Sequence, residues 1–183
     1  VLEACEALAE AHAAGIIHRD LKPANLFLAR RPNGSRCLKL LDFGVSKSLS
    51  ESSVESFSLT KTSSIIGSPI YMSPEQLAGK KIDGRSDLFS LGATLFQLAC
   101  GRLPFEGESM AQLMFRIANE PHPDVRTLNP QVPDCLAAII DRALAKDAAR
   151  RYQSGAEMAQ ELRLCGGSVG GTATATTQVD IDL

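Results

Sequence analysis

The chain has 183 residues, 44% hydrophobic and 22% charged, a composition that can build a core and excludes disorder throughout. Nineteen basic against 21 acidic residues leave a net charge of −2, with no basic excess to neutralise a phosphate backbone, so no nucleic acid is expected as a partner. No apolar run approaches the ~20 residues of a membrane helix, and no signal-peptide pattern opens the sequence.

Residues 2–13 read as a helix: Leu2, Cys5, Leu8, Ala9 and His12 share one stripe, Glu3, Glu6 and Glu10 another, and Gly15 is the stop. Two apolar runs follow, Leu26 to Ala29 and Cys37 to Phe43, on either side of Asn33-Gly34, the strongest short hairpin signal in the chain. From 46 to 68 the chain is polar and rich in Ser and Thr, which predicts a long exposed loop. Residues 86–100 are apolar nearly all round, which predicts a buried central helix with Ser86 as its N-cap and Gly101 beyond its end. Further helices are predicted over 109–119, 135–146 and 154–164, the last opening with Ser154 and Glu157 in capping-box spacing. Pro121, Pro123, Pro130 and Pro133 break up the region between, and no internal repeat is visible. After 164 the composition becomes Gly- and Thr-rich, so 165–183 is expected as a flexible tail. Cys5, Cys37, Cys100, Cys135 and Cys165 are odd in number and scattered, without a CxxC pair or zinc spacing. Free thiols in a reducing cytoplasm are the expectation.

If Asn33-Gly34 is a two-residue turn, Asn25 and Asp42 face each other across two antiparallel strands, ~5 Å apart at Cβ. An amide oxygen and a carboxylate at that spacing suit Mg²⁺, which takes few protein ligands and completes its shell with water and phosphate. The alternative is that both are turn-type residues at strand ends, and a bulge would shift the register. Just upstream, Asp20, Lys22 and Asn25 lie within six positions, on a segment too short and Pro-broken for a helix. An acid beside a cation, ahead of a metal ligand, is what phosphoryl transfer to a hydroxyl needs.

HRDLKPAN at 18–25, LDFG at 41–44, GSPIYMSPE at 67–75 and SDLFSLG at 86–92 together resemble a eukaryotic-type protein kinase of bacteria, over nearly all of 1–164. The resemblance implies an α+β, mainly helical fold: the C-terminal lobe of a kinase catalytic domain, with a small catalytic β-hairpin. It implies ATP as phosphoryl donor, Mg²⁺, and a protein Ser or Thr hydroxyl as acceptor, since tyrosine kinases usually carry Ala where Lys22 stands. By the same resemblance Asp20 is the base, Lys22 contacts phosphate, Asn25 and Asp42 hold Mg²⁺, and Phe27 packs under the adenine. His18, Phe43 and Gly44 match supporting positions. Asp87 matches the residue that holds the catalytic loop from the central helix, and Glu75 should pair with Arg151. Residues 42–75 resemble the activation loop, with Arg19 placed to grip a phosphorylated Thr60 or Thr62. Ser63 and Ser64 are alternatives, and the Ser68 hydroxyl is expected near Asp20 and Lys22.

A Gly-rich GxGxxG loop is missing, and no lysine precedes Lys22. The N-terminal lobe, with its nucleotide-anchoring Lys and Glu, is therefore expected upstream, and this piece is not expected to be active alone. A naturally non-catalytic half-kinase that binds partners is the second reading, although it would need none of Asp20, Lys22, Asn25 and Asp42. An unrelated Mg²⁺-dependent phosphohydrolase is the third, and it leaves the SPE and central-helix motifs unexplained. Kinases of this type also dimerise or carry a membrane span beyond such a tail, so both remain open for the parent protein.

Overall fold

The computed structural model describes residues 1–43 and 69–169. Gly44, Thr60, Thr62, Ser63, Ser64 and Ser68 lie outside the described residues, as does 170–183. Among the described residues the fold is mainly helical, with one two-stranded antiparallel sheet.

Residues Ser86 to Phe96 are buried without a break, in the middle of helix α3 (Gly84–Cys100). Such a helix needs neighbours on every side. α1 (Leu2–Ala13), which buries Ala4, Cys5 and Leu8, packs on α3, and so does α6 (Asp134–Ala143), which buries Ile139, Ile140 and Ala143. α7 (Gly155–Val169) closes against both α1 and α6. The short α2 (Pro74–Leu77) contacts α4 (Met110–Asn119), and the single-turn α5 (Val125–Leu128) touches α3. Gly92 lets α3 and α6 approach closely, because a Cβ there would lie 2.7 Å from that of Ala143. Burying each large apolar side chain in this core contributes ~1.5–3 kcal/mol.

α1 has the bounds expected of it, and α4 starts within one residue of its expected bounds, capped by the Ser109 side chain, which accepts from Gln112 N. α3 starts earlier than expected. Its N-cap is Asp83, whose side chain accepts from Arg85 N, and not Ser86, which is buried inside the first turn. A carboxylate at the positive end of the helix is a strong cap, and it frees the Ser86 hydroxyl for another partner. α7 runs to Val169, so the first five residues of the expected tail are helical.

The hairpin forms, but not in the expected register. β1 (Leu26–Arg30) pairs with β2 (Arg36–Leu40), with Leu26 opposite Leu40 and Arg30 opposite Arg36. Arg31 N donates to the Ser35 carbonyl, closing a three-residue loop. A two-residue I′ turn requires positive φ at both central residues, and only Gly34 (82°) has it. Asn33 instead accepts from Ser35 N and Oγ through its side chain. Asn25 therefore faces Leu41, whose N–H donates to its carbonyl at 2.9 Å, and Asp42 lies one step beyond.

The cysteine expectation needs correcting as well. Cys135 on α6 and Cys165 on α7 form a disulfide, while Cys5, Cys37 and Cys100 are free. Burial pushes the Cys5 thiol up to about 12, so this thiol behaves as a small core hydrophobe. No helix among the described residues is long and apolar enough to cross a membrane.

The disulfide closes a loop between residues 30 apart, which by loop entropy is worth ~3–4 kcal/mol. Reduction, or Cys135→Ser, should lower the melting temperature by about 10 °C at this chain length. Scanning calorimetry with and without reductant checks it; superimposable scans would show that the cross-link adds nothing.

Candidate active site

The site is built on one buried carboxylate. Asp87, 1% exposed in the first turn of α3, accepts at Oδ2 from His18 N (2.8 Å) and at Oδ1 from Arg19 N (2.9 Å). His12, reaching over from α1, donates Nε2 to the same Oδ2 at 2.8 Å. Gly84 makes room for that ring, since a Cβ there would sit 2.5 Å from His12 Nδ1. These contacts hold Arg19 with φ of 68°, a left-handed conformation that a side chain resists.

From this anchored point the chain displays its polar groups in order. His18 is fully buried; its Nε2 donates to the Leu41 carbonyl at 2.8 Å, which leaves Nδ1 as the acceptor facing Asp20 N at 3.4 Å. Lys22 Nζ meets Asp20 Oδ2 at 2.7 Å, with the Asp20 side chain 43% exposed and so open to a ligand. Asn25, 7% exposed at the end of a 3₁₀ turn (Pro23–Asn25), donates Nδ2 to the Asp20 carbonyl at 2.7 Å. That bond presents Asn25 Oδ1 as the remaining donor to a cation. Asp42 has φ of 56°, which takes it out of strand alternation, and it is exposed. The Phe43 ring lies 4.9 Å from that of His18, and Phe27 on β1 is 55% exposed.

A second cluster braces the first. Arg151, fully buried, forms a two-pronged pair with Glu75 of α2 at 2.6 and 2.8 Å, and Ser86 Oγ donates to Glu75 Oε1 at 2.6 Å. The remaining Arg151 donors go to the carbonyls of Ala145, Lys146 and Arg85. Burial would raise the Glu75 carboxyl, but its hydrogen bonds to Arg151 and Ser86 outweigh that and bring it down to about 2. Gln76, also on α2, ties this cluster to the loop: its Nε2 donates to the Arg19 carbonyl at 2.8 Å while its Oε1 accepts from Ser73 N.

Asp20, Lys22 and Asn25 are thus brought together, as are His18, Phe43 and Asp87, and Glu75 with Arg151. Two participants escaped the sequence. His12 sits on an apolar stripe, where a lone imidazole among alanines is the flag for a buried polar partner. Gln76 is three residues after Ser73, in the capping-box spacing that the structure realises. Among the described residues no cluster of three or more His, Cys, Asp or Glu side chains could hold a metal by itself.

The protein kinase domain family matches residues 1–162. The chain belongs to the protein kinase family. Several bacterial kinases are similar to it: the serine/threonine-protein kinase Pkn1 of Myxococcus xanthus is 43% identical over 152 residues, 83% of this chain and 21% of that protein. The DNA damage-responsive serine/threonine-protein kinase RqkA of Deinococcus radiodurans is 44% identical over 156 residues, 85% of this chain and 22% of its own. PknB of Mycolicibacterium smegmatis is 37% identical over 163 residues, 88% of this chain and 25% of that kinase. The chain spans about a fifth to a quarter of the length of these kinases.

Because Glu75 is held well below its ordinary range, its pairing stabilises the fold fully above about pH 5. That stability, on the order of 3 kcal/mol, is lost as pH falls toward 2. Glu75→Gln should lower stability by ~3–5 kcal/mol near neutral pH by stranding Arg151, with the gap to the parent shrinking in acid. Urea unfolding at a series of pH values measures both; a gap independent of pH would contradict the assignment.

Proposed function

We propose that residues 1–164 are the C-terminal lobe of a serine/threonine protein kinase domain, followed by a tail, and that the parent protein transfers the γ-phosphoryl group of ATP to a protein Ser or Thr. The observation that carries the reading is the Asp20–Lys22 pair at 2.7 Å, with Asn25 bound to the Asp20 backbone. As the acceptor hydroxyl oxygen bonds to phosphorus, Asp20 takes the hydroxyl proton and the bond to the departing ADP oxygen breaks. Lys22 offsets charge on the transferred group, and its contact with Asp20 keeps the acid oriented. The donor set suits the magnesium ion of such a reaction: Asn25 Oδ1 and the Asp42 carboxylate are hard oxygens one register step apart, and few protein ligands suffice. When bound, the metal would neutralise developing phosphate charge. Exposed Phe27 offers an apolar floor for the adenine.

Catalysis needs an N-terminal lobe to complete the nucleotide site, so this piece alone would be inactive. Arg19 is exposed, and phosphorylation at Thr60 or Thr62 would add roughly −1.5 to −2 charges for it to grip, with Ser68 completing the loop near Asp20. His18, Phe43, Gly44, Glu75, Asp87 and Arg151 would support the site without touching substrate.

In the complete protein, Asp20→Asn should lower the phosphoryl-transfer rate by ~10²–10⁴ while leaving nucleotide affinity nearly unchanged. The parent protein's product should be phosphoserine or phosphothreonine. Transfer at the parental rate by the variant, or phosphotyrosine as the sole product, would overturn the reading.

A further inference from the structure

The hairpin carries charge that the site does not use. Arg30, Arg31, Arg36 and Lys39 are all exposed, and no acidic residue occurs between Leu21 and Leu41. None of the four forms an ion pair among the described residues, whereas Arg85, Arg126, Arg142 and Arg163 each hold a carboxylate. The positive charge is therefore local, on a chain whose net charge is −2.

The register makes this arrangement costly. Arg30 lies directly opposite Arg36. The bond from Leu41 N to the Asn25 carbonyl places the hydrogen-bonded pairs at odd-numbered positions of β1. Arg30 and Arg36 therefore form the other kind of pair, with Cα atoms ~4.5 Å apart and side chains nearest. Like charges so placed destabilise a sheet, and two forked guanidiniums at that separation favour an anion between them. Lys39, opposite Phe27, and Arg31 belong to the other face of the ribbon. A single compact anion would engage Arg30 and Arg36 alone. Four cations spread over two faces and ~10 Å of strand fit a run of carboxylates on a flexible backbone.

We propose that the tip of the hairpin is a docking site for an acidic segment of a partner protein. The tip stands ~16 Å along β1 from Asn25, so the segment binds outside the phosphoryl-transfer centre and is held whether or not that centre acts. Binding is electrostatic and weakens steeply as salt rises.

Fluorescence anisotropy of a labelled octaglutamate peptide against the complete chain tests this. Arg36→Glu is the informative variant, because it puts a carboxylate opposite Arg30 in place of a like charge and so keeps or improves hairpin stability. The expected result is salt-sensitive binding that falls at least tenfold in Arg36→Glu, with a melting temperature no lower than the parent's. Arg102→Glu, an exposed reversal elsewhere, should leave binding unchanged. Equal binding by Arg36→Glu, no binding at low salt, or tighter binding to an oligonucleotide or to phosphatidylserine vesicles than to the peptide would overturn the proposal.

Discussion

One carboxylate organises the molecule. Asp87 accepts from two consecutive backbone amides and one imidazole, joining α1, α3 and the loop that carries Asp20. A hydrogen bond to a charged group is worth ~1.5–3 kcal/mol, and a left-handed non-glycine residue costs ~1–2 kcal/mol. The two amide bonds therefore exceed the strain of Arg19, and the loop holds a conformation it would otherwise leave. Everything downstream follows from that fixed point: Asp20 is displayed, Lys22 folds back onto it, and Asn25 closes the turn through the Asp20 carbonyl.

A buried ion pair works by the same logic beside the adjacent residue of α3, Ser86. Arg151 is fully buried, and its guanidinium is divided between Glu75 and backbone carbonyls, so no donor is left without an acceptor. Phe89 lies under that guanidinium at 4.9 Å and faces Phe105, whose ring carries Lys146 at 3.7 Å. Burial pulls the Lys146 ammonium down to about 8, while its bonds to the last carbonyls of α4 hold the charged form in place. A continuous chain of polar and aromatic contacts thus runs from α2, which grips Arg19 through Gln76, to α4. It sets where α4 stands relative to the loop that carries Asp20.

Local chemistry was readable in the sequence wherever a single element decided it. The stripe of α1 gave its bounds, and the capping-box spacing of Ser154 and Glu157 marked the start of α7. The all-round apolar run of α3 identified the core. What escaped depended on choices between close alternatives or on contacts distant in sequence. Asn33-Gly34 serves two turn types, and the conformation of Asn33 decided for the longer loop, shifting Asn25 from Asp42 to Leu41. Ser86 and Asp83 are both good caps three residues apart, and the pairing of Ser86 with Glu75 settled which one was used. Five scattered cysteines allow many pairings, and only the packing of α6 on α7 selects Cys135 with Cys165. The motif residues stand out as a set, but nothing in the sequence pairs His12 with Asp87, 75 positions away, and the capping-box spacing of Ser73 and Gln76 does not show that Gln76 also reaches the Arg19 carbonyl.

The most direct test of this account is native-state hydrogen exchange at the amides of His18 and Arg19. If Asp87 fixes the loop, both should exchange nearly as slowly as the buried amides of α3 and open only with global unfolding. Exchange as rapid as that of the hairpin turn at Asn33–Ser35 would mean that the loop moves freely and that the site is not held in place by Asp87.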